Sequence, residues 1–415
     1  YTGDLLDPAR SKYDLKYYVG MAKELEAAGA HVLGLKDMAG LLKPRAATVL
    51  IEALKSEVGI PIHFHTHDTA GIACATILAA AEAGVDAVDC AMDALSGNTS
   101  QATLGTVVEA LRHTDRDTGL DIKAIRQISN YWESVRGHYA AFETGMQAPS
   151  SEVYLHEMPG GQFTNLKAQA ASLGLEDRWP DVARTYADVN QMFGDIVKVT
   201  PTSKVVGDMA LFMVTSGVTA EDVMDPDKEI AFPESVIQLF RGDLGQPPGG
   251  WPPALQAKVL GGEKADTSRP GEHLPAVDLE AAREEAKAKV GRDIDDDELA
   301  SYLMYPKVFV EFAAHQQRYG DVSILPTPVF FSGLEAHEEI GVDIEPGKTL
   351  IIRLLATSNA DAEGKRRLFF ELNGQPLMIR DGVSRYGPKG GGWAVDIGGK
   401  QAAYVSTLKE GRDTE

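Results

Sequence analysis

The sequence has few cysteines. Cys74 and Cys90 are the whole complement in 415 residues. Two thiols cannot build a disulfide framework, so a reducing, cytoplasmic setting is the expectation. Positive charge is also in short supply, with 40 Lys and Arg against 61 Asp and Glu and a net charge of −21. That balance excludes nucleic acid and anionic membrane surfaces as partners. No run of apolar residues is long enough for a membrane-spanning helix. An initiator Met and a signal or transit pattern are both missing. The chain opens at Tyr1 in YTGDLLDP, which reads like a strand end entering a turn, so a fragment is expected. A hydrophobic content of 44% excludes a disordered chain. The length predicts two or three domains.

Strand and helix patterns alternate over the first hundred residues. Leu15 to Ala28 has helical spacing and ends on Gly29. HVLGLKD (31–37), PIHFHTHD (61–68) and VDAVDCAMD (85–93) read as strands. Pro44 opens one intervening helix, and residues 70–84 form the next. Strict alternation implies a parallel sheet. Polar residues gather at the strand C-termini, which points to part of a (β/α)8 TIM barrel, whose chemistry sits on that face. Residues 110–305 read as mostly helical, with Val277 to Tyr302 as one charged helix. Residues 322–379 read as β-rich, with VSILPTPVFF, KTLIIRLLAT and RRLFFELNGQPLMIR as strands. After Asp381 no period is clear. The expected divisions are 1–115, 116–310, 320–380 and an irregular tail, 381–415.

The strongest cluster of chemistry-bearing residues is Lys36 and Asp37 with His63, His65 and His67. Residues i, i+2 and i+4 of a strand share a face, so the three histidines form a row. Such a row is a candidate metal site; a catalytic metal would take three protein ligands and keep one position open. Hydrogen-bonded core histidines are the plain alternative. Lys36 either pairs with an acid such as Asp37, or loses its proton and reacts. A neutral amine can add CO2 to become a carbamate, which can ligate a cation. A second cluster is GDIVKVTPTSKVVGD (194–208), where Thr200, Thr202 and Ser203 precede a helix beginning near Lys204. Its alternative is an ordinary helix cap with Pro201 in the turn. YLHEMPGGQFTNL (154–166) is a loop that could face substrate. GVDIEPGKT (341–349) fails as a P-loop, with five residues between its glycines and a strand after it. DIDDDE (293–298) fails as an EF-hand loop, with Glu298 where Gly is required.

YTGDLLDP, LKDMAGLLKP, HFHTHDTAG, DCAMDALSGNTSQ, EVYLHEMPGGQFTNL, FGDIVKVTPTSKVVGDMA and ELNGQP together resemble the carboxyltransferase domain of the pyruvate carboxylase family. The resemblance runs from Tyr1 to about Arg380. It implies the C-terminal half of the barrel, a helical funnel carrying the biotin pocket, and a β module that helps form a homotetramer. It implies a divalent metal, zinc or manganese, held by carboxylated Lys36, His65 and His67. A fourth ligand, an aspartate, belongs to a first barrel strand that this sequence lacks. Thr200 is implied as the group that moves a proton between biotin and pyruvate, with Ser203 and Lys204 on the biotin ring. The partners implied are pyruvate and carboxybiotin, the product oxaloacetate. The biotin carrier and the ATP-using biotin carboxylase are implied only for the longer enzyme. Three alternatives stay open: an oxaloacetate decarboxylase or transcarboxylase subunit, an aldol-type lyase or synthase barrel, and a non-catalytic scaffold fragment.

Overall fold

A computed structural model describes residues 1–143, 145–362, 365–382, 384–385, 391–397 and 400–407. It falls into two compact units, one of residues 1–136 with 142–274, the other of residues 137–141 with the chain from Pro275 on. The stretch 116–310, expected as one region, is therefore divided at 274/275, and its last part joins the β-rich module.

In the first unit the alternation builds α1 (Leu15–Ala27), β1 (Leu33–Asp37), α2 (Pro44–Glu57), β2 (Ile62–Thr66), α3 (Ala73–Glu82) and β3 (Ala87–Val88). The Asp14 carboxylate caps α1 by accepting from Tyr17 N–H at 2.8 Å. Pro44 occupies the first turn of α2, where its missing N–H and fixed φ are no handicap. The three strands are parallel in the order β1-β2-β3. Leu33, Leu35, Ile62 and Phe64 point to one face and pack on Leu50, Ile51 and Leu54 of α2. The opposite face is left to Gly34, Lys36, His63 and His65. The fold is thus α/β, an arc of a parallel (β/α) barrel followed by helices and a small β-rich module. The strand expected over 85–93 is only Ala87–Val88; beyond it Asp89 turns toward the histidines of β2, and Ala91 bridges to Thr103.

The rest of the unit is helical: α4 (Leu104–Leu111), α5 (Ile122–Arg136), α6 (Val153–His156), α7 (Gly160–Ser172), α8 (Trp179–Met192), α9 (Thr202–Ser216), α10 (Ala220–Met224), α11 (Glu234–Arg241) and α12 (Pro253–Leu260). One apolar core joins α7, α8, α9, α11 and α12 through Leu166, Tyr186, Phe193, Met209, Phe240 and Leu255. Gly207 lets α9 cross close to α7, because a Cβ there would collide with the Gln162 side chain.

The second unit holds α13 (Leu279–Val290), α14 (Asp296–Met304), α15 (Pro306–Tyr319) and α16 (Thr327–Ser332). The single charged helix expected over Val277 to Tyr302 is two helices. Gly291 ends the first in a left-handed conformation, and a reciprocal cap between Asp295 and Glu298 starts the second. VSILPTPVFF is not a strand. Its prolines sit where a helix starts, and α16 follows. An antiparallel sheet β4-β5-β6-β7 is formed by Glu339–Glu345, Lys348–Thr357, Lys365–Leu372 and Gln375–Gly382. The tail expected to be irregular carries β8 (Ser384–Arg385), β9 (Gly391–Ile397) and β10 (Lys400–Thr407), paired in the order β10-β9-β8. Its apolar and β-branched residues are separated by glycines that obscure the strand period. The remainder of 381–415 lies outside the described residues. Among the described residues, no helix is long and apolar enough to cross a membrane.

Candidate active site

Strand register brings Lys36 of β1 beside His65 of β2. Paired residues of parallel strands project to the same face, so the ammonium and the imidazole are neighbours. Asp37 projects the other way and is fully buried. Its carboxylate accepts from Leu41 N–H at 2.8 Å, Leu42 N–H at 2.9 Å and Thr66 Oγ1 at 2.8 Å. Burial pushes the Asp37 carboxyl up, against those hydrogen bonds. The Lys36–Asp37 pair weighed above is therefore not formed: adjacent strand residues face opposite sides, and Asp37 is bound into the turn after β1. In this three-stranded arc Lys36 lies on the open face of the sheet.

The histidine row divides by role. His63 Nε2 and His65 Nδ1 each lie 2.7 Å from one oxygen of the Asp89 carboxylate. His67, one residue past the strand, is 8% exposed, and its Nδ1 lies 2.6 Å from the Thr99 carbonyl. A carbonyl can only accept, so the His67 Nδ1 carries the proton, and the Asp89 carboxylate fixes the same tautomer on His65. The two Nε2 atoms are left facing each other 3.3 Å apart, with the rings nearly edge to face. Two imidazole lone pairs at that separation repel unless a proton or a cation lies between them. Nitrogens bound to one tetrahedral zinc, each about 2.0–2.1 Å from it, stand about 3.4 Å apart. The pair therefore fits a divalent metal; Lys36, beside His65 in register, has no lone pair to offer as an ammonium and would join only as its carbamate. Among the described residues, no group of three His, Cys, Asp and Glu side chains forms a metal cluster.

Two electrostatic features hold this pair ready. Burial lowers His67 below its ordinary range, against the Thr99 bond, and the neighbouring His65 and Lys36 lower it further. Burial also acts on Asp89, in the raising direction, but its hydrogen bonds to His63 and His65 outweigh it and hold the carboxyl below its usual range. Two glycines crowd His67. A Cβ on Gly40 would collide with the His67 carbonyl, and one on Gly160 would lie 2.6 Å from His67 Nδ1 and from the Thr99 carbonyl. Gly160 N–H also donates to the Met38 carbonyl at 2.8 Å. The segment 154–166, expected as a loop, is the end of α6 and the start of α7, and the first residue of α7, Gly160, is packed directly on the imidazole.

The 194–208 segment separates its hydroxyls. Thr202 Oγ1 lies 2.6 Å from the carbonyls of both Val197 and Val199, so it is occupied in shaping the turn. Ser203 is 2% exposed, and Lys204 Nζ is paired with Asp208 at 2.7 Å. Thr200 is exposed, and its hydroxyl has no hydrogen-bond partner among the described residues. The cap expected from this cluster is not a side-chain cap: Pro201 holds that position, and no side-chain bond is made there. No hydrogen bond joins Thr200, Ser203 or Lys204 to the histidines. The two clusters share one unit through α7, which starts against His67 and packs on α9 at Gly207.

The same elements recur in known proteins. Residues 7–131 match a family described as HMGL-like, and residues 153–353 match one described as a conserved carboxylase domain. The structure of the carboxyl transferase domain from Rhizobium etli pyruvate carboxylase is 63% identical, with a TM-score of 0.88. That likeness covers 92% of this chain and 64% of the solved chain. The chain belongs to the carboxyltransferase domain family of the pyruvate carboxylases. Bacillus subtilis pyruvate carboxylase is 50% identical over 383 residues, and the human mitochondrial enzyme 44% over 386. Each match covers 92% of this chain, which spans about a third of the length of those relatives, 33%.

Asp89 and the Thr99 carbonyl were not singled out from sequence. The signal for Asp89 was its place at the end of the strand next to the histidines. A carbonyl leaves none. Arg10, Glu157, Lys198 and Asp195 were missed as well: Asp195 and Lys198 are three residues apart, but Arg10 and Glu157 join them only through the fold.

Proposed function

We propose that this chain transfers a carboxyl group from carboxybiotin to pyruvate, giving oxaloacetate, as the carboxyltransferase part of a larger ATP- and biotin-dependent carboxylase. The observation that carries the reading is the exposed Thr200 hydroxyl, without a partner among the described residues, in the same unit as two imidazoles with facing Nε2 atoms. As carboxybiotin releases CO2 and leaves a biotin enolate, Thr200 can give its proton to that enolate while taking one from the pyruvate methyl carbon, and the pyruvate enolate so formed bonds the CO2. Ser203 and Lys204, flanking that hydroxyl on α9, would line the biotin side. His65, His67 and Lys36, the last as its carbamate, would hold a divalent cation, zinc or manganese. A bound cation there would supply Lewis-acid stabilisation of negative charge developing on substrate oxygen. A solved relative is described with pyruvate and biocytin, which supports both partners. A homotetramer and a cytoplasmic setting complete the reading.

The test is Thr200→Ala in the intact enzyme. Oxaloacetate formation should fall by at least about 100-fold, as for loss of a proton-transferring group, while ATP-dependent carboxylation of biotin is retained. Undiminished oxaloacetate formation would overturn the reading. The aldol-type alternative accounts for the HxH strand, but it gives no role to the 194–208 segment or to the carboxylase-domain match over 153–353.

A further inference from the structure

Four charged side chains meet inside the first unit, away from the imidazoles. The Lys198 side chain is 2% exposed, and its Nζ lies 3.0 Å from Glu157 and 3.8 Å from Asp195. Arg10 reaches the same Glu157 through two contacts, 2.6 and 3.0 Å, and Asp195 at 3.7 Å. Two cations and two anions are thus interleaved, and the buried Lys198 side chain is paired rather than isolated. Both acids sit at left-handed backbone positions, with φ of 54° for Glu157 and 52° for Asp195. Neither is glycine, so the surrounding contacts must over-determine these conformations. Those contacts are present: Lys12 Nζ donates to the Gly194 carbonyl at 2.7 Å, Tyr13 Oη to the Asp195 carbonyl at 2.6 Å, and Asn190 Nδ2 to the Asp195 carboxylate at 2.9 Å.

The place of the pair in the chain gives it meaning. Glu157 is three residues before Gly160, which packs on His67. Lys198 is two residues before Thr200. The Glu157–Lys198 ion pair therefore ties the segment lying on the imidazole to the segment carrying the free hydroxyl.

We infer that Glu157 and Lys198 are positioning residues that fix the Thr200 hydroxyl relative to the His65–His67 pair, with Arg10 and Asp195 as their charge partners. The inference rests on the proposed proton transfer at Thr200. A misplacement of about 1 Å in a reacting group lowers turnover by up to about 100-fold, even when the change is remote. Ground-state binding of pyruvate would be affected much less.

The experiment uses the intact enzyme with the double variant Glu157→Gln/Lys198→Met, which removes one charge of each sign and leaves Arg10 and Asp195 balanced. The expected result is a fall in kcat for oxaloacetate formation of about 10- to 100-fold. KM for pyruvate should stay within about two-fold, bound metal per site should be unchanged, and Lys198→Arg should restore most of the turnover of the ion pair. If the double variant does not fold, Glu157→Asp, which keeps the charge and shortens its reach, should show the same kcat loss to a smaller degree. A folded double variant with unchanged kcat would overturn the inference, as would a loss carried entirely by KM or by lost metal. Thr200→Ala is measured alongside. An active Thr200→Ala enzyme would sink the proton-transfer reading itself, whereas an inactive one beside an unimpaired double variant would sink only the positioning role.

Discussion

His65 Nε2 and His67 Nε2 face each other across 3.3 Å while the Nδ1 atoms of both rings are engaged by Asp89 and the Thr99 carbonyl. The tautomers are thereby imposed from behind, and the pair is arranged to share one electrophile. Asp89→Asn replaces a charged acceptor with an amide whose oxygen can serve only one of the two histidines well. Metal affinity should fall about 10- to 100-fold, the usual consequence of losing the group that orients a ligating histidine. His65→Ala or His67→Ala should remove the metal altogether. Competition with a chelator, read by elemental analysis, checks the order; equal retention in all three variants would contradict it.

Gly160 offers a test that leaves every polar group in place. Alanine at 160 puts a methyl 2.6 Å from His67 Nδ1 and from the Thr99 carbonyl. That methyl competes with the hydrogen bond holding the ring. Gly160→Ala should destabilise the fold by about 1–3 kcal/mol and weaken metal binding together with it. Gly161→Ala, one residue on, meets open space and should do neither. Denaturant melts of the two variants provide the comparison.

These two residues also mark how far sequence reading reached. His63, His65 and Lys36 could be placed because strand alternation is local, and the register realised it. Pro44 and Gly29 were legible as helix punctuation for the same reason, whereas Gly291 was read through as part of one helix. Asp89 and Glu157 were not, because their partners are reached only through folding. The tautomer of His67 depends on a backbone carbonyl 32 residues away, which no side-chain pattern records. VSILPTPVFF misled because hydrophobic β-branched residues suggest strand, while Pro326 and Pro328 suit the start of a helix.

His156 predicts an acid sensitivity of the fold. It is 6% exposed, and its Nδ1 accepts from Met158 N–H at 3.0 Å. Burial pushes its pKa down to about 4, with Glu157 opposing. The folded state therefore binds this proton less readily than the unfolded chain, in which His titrates near 6.5. Its contribution is fully present above about pH 6.5 and is lost as pH falls toward 4, amounting to about 3 kcal/mol. His156→Asn keeps an acceptor for Met158 but does not titrate. Its stability should fall less than the wild type's between pH 6.5 and 4. Parallel urea melts at both pH values read this directly, and identical slopes would refute it.

Thr200 and Thr202 are two residues apart and should fail in opposite ways when each is changed to Val, which keeps the shape and removes the hydroxyl. Thr202 Oγ1 bonds the carbonyls of Val197 and Val199. Thr202→Val leaves those carbonyls without this donor and should lower stability by about 1 kcal/mol. Thr200 gives its hydroxyl to no partner among the described residues, so Thr200→Val should leave the melting temperature essentially unchanged. If its hydroxyl carries the proton, oxaloacetate formation should nonetheless fall by about 100-fold or more. Thr200→Ser restores a hydroxyl at the cost of a methyl group, and should recover part of that loss. An equal loss of stability in both Val variants would mean that Thr200 is a second turn residue. Recovery by Ser, with stability unmoved throughout, is the pattern that only a reacting hydroxyl produces.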